Sequence, residues 1–525
     1  MKKVINFLLK YCLIITSIII GILGICSIFI TAYFKTSYNS APEMTYFKFS
    51  YVLPEVLLSI LLSLIIILIY KKVLKRVNNI FFIIPISLLI FIAYIFWISV
   101  IKLKPIDDQL RIHEIAISFL DGGIDFHLGF HQYLFLYPYQ LGLIYLVAQL
   151  YKIFGENFTV IQYFNAICSI ANFYLLYIIS KKIFKSENVQ KYLIIFLGLF
   201  SLYWMFFNVY FYGNIVGLTF ALISILFTLI YLEKNKLYCL LIAGLSIGLS
   251  ILLKTNYSIF LCGIIIVLTL DMLKDWNKKK LLFIPILLIG YLIVNLSYNL
   301  VIDKKYNIKL PEGVPMINFI YMGISSNDND LFPGWYNGET INIYFRNNCN
   351  TESNNKETKE LIGKRLEYFL KNPSEFLSYF SQKIGSTWLN PTFQTIFCST
   401  IGQRFNWDGD YAVYIDHHQM IISMVASNGD LYKLEENYFN IYQIIVFIFG
   451  AIGIFLLGKN NNFTIEQTLL PIIFLGGFVF HIIWETKAIY VIQYYYLLLP
   501  FASYGFYIIS EKIINLIFKK KELNP

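Results

Sequence analysis

The chain has 525 residues, 58% of them hydrophobic, 18% aromatic and only 14% charged, with a formal net charge of +10 and a mean hydropathy of +0.63. A soluble domain carries about 25% charged residues, so this chain cannot coat its own surface for water, and lipid must cover much of it. The composition excludes an ordinary soluble enzyme and gives no reason to expect a nucleic-acid partner.

Met1-Lys2-Lys3 opens an apolar run that reaches about Ala32. The run is too long for a cleavable signal peptide and lacks a small-x-small cleavage site, so it reads as an anchor. Further apolar runs long enough for a ~30 Å hydrocarbon core fall at 52–70, 79–101, 158–180, 192–208, 213–232, 237–254, 256–272, 281–301, 441–458, 467–484 and 488–510. The expected fold class is therefore an all-α polytopic membrane protein with about twelve spanning helices.

The apolar segment 133–153 is ambiguous, and counting it as a span inverts everything after it. Loop charges arbitrate. If it does not span, Lys71, Lys72, Lys75, Arg76, Lys181, Lys182, Lys185, Lys278, Lys279, Lys280 and Lys519–Lys521 all fall on the side of the N-terminus. Segment 133–153 is thus expected to lie in the interface or re-enter it, with Pro138, Gln132, Gln140 and Gln149 in keeping. Both termini are then cytoplasmic. Four regions follow: a two-helix addition at 1–78, a seven-helix module at 79–301 with an outer loop at 102–157, an extracytoplasmic domain at 302–440 of mixed, α-containing structure, and three further helices with a tail at 441–525. One helical stretch is expected near 356–386.

Five cysteines (12, 26, 168, 239 and 262) fall in spans; Cys349 and Cys398 lie outside, where a disulfide is permitted. A Cys349–Cys398 bridge and two separate thiols are the alternatives. Asp416-His417-His418 looks like a metal motif, but neighbouring side chains on an extended strand point apart. There is no phosphate-binding or dinucleotide-binding loop and no Ser-His-Asp signature.

The densest polar cluster follows the third span: Lys104-Pro105-Ile106-Asp107-Asp108-Gln109-Leu110-Arg111-Ile112-His113-Glu114. Two adjacent acids at the exit of a membrane helix are costly to desolvate. In the plainer reading one of them caps an amphipathic helix that ends at Asp121-Gly122-Gly123, with Arg111 as an ion-pair partner one turn on. The functional reading makes a carboxylate a general base on an attacking hydroxyl. Lys254, in the tight turn Leu252–Tyr257, is either a lysine snorkelling to the interface or a cation for a lipid phosphate.

An acidic pair after an outward-going helix, a loop with membrane-lying helices, six more spans and then an outer domain resemble the GT-C superfamily of membrane glycosyltransferases. The likeness is nearest to the protein-mannosyltransferase (family 39) and aminoarabinose-transferase-like bacterial enzymes. Local likenesses are Tyr137-Pro138-Tyr139, Lys152-Ile153-Phe154-Gly155, Gly244–Lys254 and Pro333-Gly334-Trp335-Tyr336-Asn337-Gly338. The two helices before the module depart from the usual pattern.

The resemblance implies inverting transfer of a sugar from a polyprenyl-phosphate donor to a cell-surface glycan, lipid or protein acceptor on the extracytoplasmic face of the cell membrane. It implies Asp107, then Asp108, as the base. Arg111, His113, Glu114, His131, Tyr137, Lys254, Trp335, Arg346 and Lys383 would contact substrate, with Lys254, Arg111 and Lys383 as candidate cations for the leaving phosphate. Some members use a divalent metal and others none, and no cofactor is assigned. The alternative is a flippase or polymerase of lipid-linked saccharides; a transporter should carry ionisable groups at mid-membrane, whereas these spans are nearly free of charge.

Overall fold

The computed structural model describes the chain except residues 35–44, 106, 276–277, 307, 326–331, 400–419, 421–422, 425–428, 461–462 and 523–525. Asp416-His417-His418 lies outside the described residues. Among these, ten helices are long and apolar enough to cross a membrane: Lys2–Phe29, Val52–Leu74, Ile80–Ile101, Phe158–Ile183, Glu187–Phe207, Asn214–Lys234, Thr255–Lys274, Lys280–Lys304, Asp430–Lys459 and Glu466–Ile483. Leu237–Leu253 is apolar but has only 17 residues, and the helix Leu499–Glu522 follows the last of the ten. The protein is an all-α polytopic membrane protein.

Four boundaries differ from expectation, each for a local reason. The first helix stops at Phe29 because Ile30–Phe34 pairs antiparallel with Thr45–Phe49, in the register Ile30↔Phe49 to Phe34↔Thr45. The apolar stretch 441–458 belongs to a longer helix that begins at Asp430, which moves the end of the large loop back to Gly429. The expected helix 356–386 is two, Thr351–Lys371 and Pro373–Trp388, because Pro373 occupies the first helical turn, where its missing N–H costs nothing. The last helix starts at Leu499, not at 488, since Pro500 is tolerated in a first turn and would break a helix interior. Between residues 302 and 429 the described elements are helices joined by irregular segments.

Segment 133–153 is not a spanning helix. It breaks into Tyr133–Leu136, a 3-10 turn at Pro138–Gln140 and Leu141–Phe154. The last has 14 residues, about 21 Å of rise, short of a ~30 Å core. It packs against the helix Asp107–Leu120, whose Ile112, Ile115, Ala116 and Phe119 are buried. These two helices form a layer at one end of the bundle. The stretch Gly244–Lys254 owes its small residues to close packing: a Cβ on Gly244 would meet the Leu287 carbonyl of the helix Phe283–Leu300 at 2.1 Å. Small residues let backbones approach in this way.

Residues 386–399 thread between the spanning helices, and all are buried. Irregular backbone at such a place needs partners for its polar groups. Tyr203 Oη donates to the Pro391 carbonyl at 2.8 Å, Ser399 Oγ to that of Phe206 at 2.5 Å, and Gln443 Nε2 to those of Trp388 and Asn390 at 3.3 and 3.2 Å. Phe393 and Gln394 are consecutive residues in the left-handed region, φ 46° and 61°. Gln394 Oε1 accepts from the Ile489 N–H at 3.1 Å, tying this inserted segment to the turn that precedes the last helix.

The Cys349–Cys398 bridge is not formed. Cys398 is buried in the main core beside the inserted segment, whereas Cys349 packs in a separate cluster with Tyr344 and Phe319.

Candidate active site

A cavity of about 620 Å³ opens where the loop layer meets the bundle. Its walls come from four stretches distant in sequence: the start of the helix Asp107–Leu120, the turns 133–140, the turn 253–258 facing Tyr212, and a lid built by 316–325 and 332–341 with 480–490.

Asp107 and Asp108 both line it. The helix starts at Asp107, whose backbone is left-handed (φ 48°), and both acids stand in the first turn, where the helix dipole favours negative charge. Arg111 also lines the cavity, but its ion pair is with Glu114 at 3.2 Å and not with either aspartate. The left-handed entry at Asp107 takes that residue off the regular i,i+4 ladder on which the expected pair depended.

Lys254 is no snorkelling lysine. It follows the last residue of the helix Leu237–Leu253, and its ammonium turns inward to lie 3.7 Å from the centroid of the Tyr212 ring and 5.3 Å from that of Tyr490, a cation–π arrangement. Tyr212 is held by its neighbours. Gln109 Oε1 accepts from the Phe211 N–H at 2.9 Å, Gln162 and Asn165 bind the carbonyls of Val209 and Tyr210 at 3.0 Å, and Gln140 Nε2 donates to the Tyr212 hydroxyl at 2.8 Å. Gly213 (φ 77°) makes the approach feasible, since a Cβ there would stand 2.5 Å from the Leu253 carbonyl. Burial pulls the Lys254 ammonium down to about 7; the Asp108 and Glu485 carboxylates oppose this and Lys487 adds to it.

The lid is knitted by backbone. Glu485 N–H donates to the Phe319 carbonyl at 3.1 Å and Thr486 N–H to that of Gly334 at 2.8 Å. Lys383, 1% exposed, lies beneath and donates to the carbonyls of Gly323, Ile482 and Trp484 at 2.5, 2.8 and 2.8 Å. Its three N–H donors are thereby engaged, so Lys383 is a tie between segments and does not line the cavity. Gly334 (φ 77°) passes over it; a Cβ would meet Lys383 Cε at 2.4 Å. Trp335 is buried, with Nε1 donating to Ser386 Oγ at 3.2 Å, and it supports the lid from behind. Tyr336, the next residue, faces the cavity.

Of the other expected contacts, Tyr137 lines the cavity. Glu114 is the partner of Arg111. His113 bonds Tyr151 Oη through Nδ1 at 2.6 Å and packs edge-on to Phe158. Burial lowers its basicity, while Glu114 and Glu156 oppose that. His131 (φ 65°) stacks near Phe345, 4.1 Å between ring centroids. Arg346 pairs with Glu357 at 2.6 Å and Glu339 at 4.0 Å. His113, Glu114, His131, Trp335, Arg346 and Lys383 are thus not brought to the cavity. Tyr139 and Tyr336, quoted above only within local likenesses, are, and so are Glu485, Lys487, Tyr212 and Tyr490, which no motif singled out. A signal existed in Trp484-Glu485-Thr486-Lys487, an acid and a base at the exit of a membrane helix, the same anomaly that drew attention to Asp107 and Asp108.

Among the described residues no group of three or more His, Cys, Asp or Glu stands close enough to hold a metal ion. Tyr137 and Tyr139 are held neutral: burial raises both, Glu485 adds to it at Tyr139, and the Asp108 carboxylate adds to it at each. The chamber thus offers neutral hydroxyl donors and ring faces between carboxylates and ammonium groups, a setting for a polar ligand with one anionic group.

Residues 141–298 match the family described as dolichyl-phosphate-mannose-protein mannosyltransferase. The match takes in Tyr212 and Lys254 and stops short of Asp107, Asp108 and Glu485; over this stretch the resemblance to GT-C enzymes of that kind holds. No curated protein sequence matches the chain. Among solved structures, the archaeal oligosaccharyltransferase AglB from Archaeoglobus fulgidus, in complex with an inhibitory peptide and a dolichol-phosphate, is similar at 12% identity with a TM-score of 0.35. The similarity covers 86% of this chain and 52% of that one, so the chain spans about half the length of that structure.

Proposed function

We propose that the protein is a membrane glycosyltransferase that moves a sugar from a polyprenyl-phosphate carrier to an acceptor hydroxyl on a cell-surface glycan, lipid or protein. The observation that carries this reading is the shared cavity, in which the Asp107–Asp108 pair and Lys254 line one chamber of about 620 Å³. The mannosyltransferase family match over 141–298 supports the same donor class. One aspartate of the pair takes the proton from the acceptor hydroxyl. The acceptor oxygen then attacks the anomeric carbon, and the bond from that carbon to the phosphate oxygen breaks. The polyprenyl phosphate leaves with the electron pair, and Lys254 stabilises its growing charge. A single displacement of this kind inverts the anomeric centre.

The orientation belongs to the proposal as well. The lysine-rich loops, including Lys181–Lys185 and Lys278–Lys280, are cytoplasmic by the positive-inside rule, which puts the cavity on the extracytoplasmic side with both termini inside. A cysteine at Ser186 should then resist an impermeant thiol reagent in intact cells.

The chemical test uses Asp107→Asn and Asp108→Asn, which keep shape and helix-start preference. Transfer from a polyprenyl-phosphate sugar is measured in membranes at matched protein level. One variant should lose about 10²–10⁴-fold, the scale of an acid–base group. Full activity in both would overturn the assignment of the base.

A further inference from the structure

Glu485 is a carboxylate that no step above uses, yet its placement is strongly determined. Only 8% of it is exposed, and it lines the cavity with Asp108, Lys254 and Lys487. The backbone around it is pinned on three sides, by the Phe319 carbonyl on its own N–H, by the Gly334 carbonyl on the Thr486 N–H and by Lys383 on the Trp484 carbonyl. A buried carboxylate is costly to keep unless it answers a positive charge; Lys383 beneath the lid and Lys487 are two such charges, and Lys254 is the one that would face a donor phosphate.

The groups that face Lys254 come from three elements. Asp108 stands at the start of the helix Asp107–Leu120. Glu485 and Lys487 follow the helix Leu469–Ile483. The rings of Tyr212 and Tyr490 lie against the ammonium itself. Burial among these rings favours the neutral amine, and a neutral amine cannot answer a leaving phosphate. Asp108 opposes that loss from one wall, and Glu485 opposes it from another.

We propose that Glu485 is a positioning residue for Lys254: from the lid wall of the cavity they share, its carboxylate holds the Lys254 ammonium ready for the phosphate of the donor. The role in transfer rests on the glycosyltransferase reading; the coupling between the two side chains does not.

The test separates these. In purified full-length protein, the pH dependence of Lys254 acylation by an amine-selective reagent, read by mass spectrometry of its peptide, titrates the amine without any turnover. Glu485→Gln should move that titration to lower pH, the effect of losing an opposite charge. An unmoved titration would overturn the proposal whatever the enzyme does. In the transfer assay, kcat/KM for the polyprenyl-phosphate sugar should fall above about pH 7 as Lys254 loses its proton, and Glu485→Gln should shift that fall to lower pH. Lys254→Arg keeps its charge throughout and should abolish the fall, and adding Glu485→Gln to it should produce no further pH shift. A loss in Glu485→Gln that is equal at every pH would mean a merely structural role and overturn the proposal. Absence of transfer by the unmodified protein, with the acylation shift intact, would overturn the glycosyltransferase reading alone.

Discussion

The two sides of the cavity were made in different ways. One side, Asp107 to Arg111 with the Lys254 turn, consists of short stretches whose charges sit where an apolar chain should have none. The other side, the lid from 316–325, 332–341 and 484–490, is assembled from segments about 150 residues apart in sequence, joined by backbone hydrogen bonds and by the buried Lys383. The first side announces its chemistry locally. The second is scaffold first, and its chemical groups, Glu485, Lys487 and Tyr336, ride on that scaffold. Substitutions on the first side should therefore cost activity and spare stability, while substitutions beneath the lid should cost stability first.

The largest effect that sharpens this contrast is expected at Lys254. Lys254→Met removes the cation facing the leaving phosphate and should lower transfer by about 10²–10³-fold, with the unfolding temperature in detergent little changed. An equal loss of stability and activity would erase the distinction between the two sides.

Lys383→Met should do the reverse. It leaves the carbonyls of Gly323, Ile482 and Trp484 without their buried donor, a cost of about 3 kcal/mol. The measured outcome is a lower unfolding temperature and a smaller monodisperse fraction. A stable but inactive Lys383→Met would instead place that lysine among the chemical groups.

Gly334→Ala comes next, at roughly 2 kcal/mol, because alanine resists a φ of 77° and its Cβ would press on the Lys383 side chain. The same readout applies, and an unfolding temperature equal to that of the unmodified protein would show that the lid yields more easily than its packing implies. His131→Asn should do least. Asparagine tolerates the left-handed backbone at φ 65°, and His131 does not line the cavity, so transfer should stay within about twofold, the scale of a neutral surface change. A tenfold loss would bring His131 back to the substrate.

What was legible in the sequence follows the same division. Ten of the twelve expected spans, the non-spanning segment 133–153 and the acidic pair are local signals of hydropathy, length and misplaced charge, and these are found among the described residues. Trp335 and Lys383 drew attention for sound reasons of residue type, yet they stand behind the lid, because aromatic and basic side chains serve packing and carbonyl satisfaction as readily as substrate. Tyr212 and Tyr490 were lost among 41 tyrosines, since no local pattern marks the two whose rings meet Lys254. Glu485 shows that a rule applied at one helix exit was left unused at another. The lid's long-range hydrogen bonds, such as that from Thr486 to Gly334, leave no periodic trace at all.

The most direct test of the central claim is a structure of the full-length protein with a non-reactive analogue of a polyprenyl-phosphate sugar. The account predicts a phosphate oxygen within about 3.2 Å of Lys254 Nζ, the range of a charge-assisted hydrogen bond, with the anomeric carbon facing Asp107 or Asp108 and the lid closed over the sugar. A phosphate bound away from Lys254, or a sugar outside the chamber between the two sides, would contradict it.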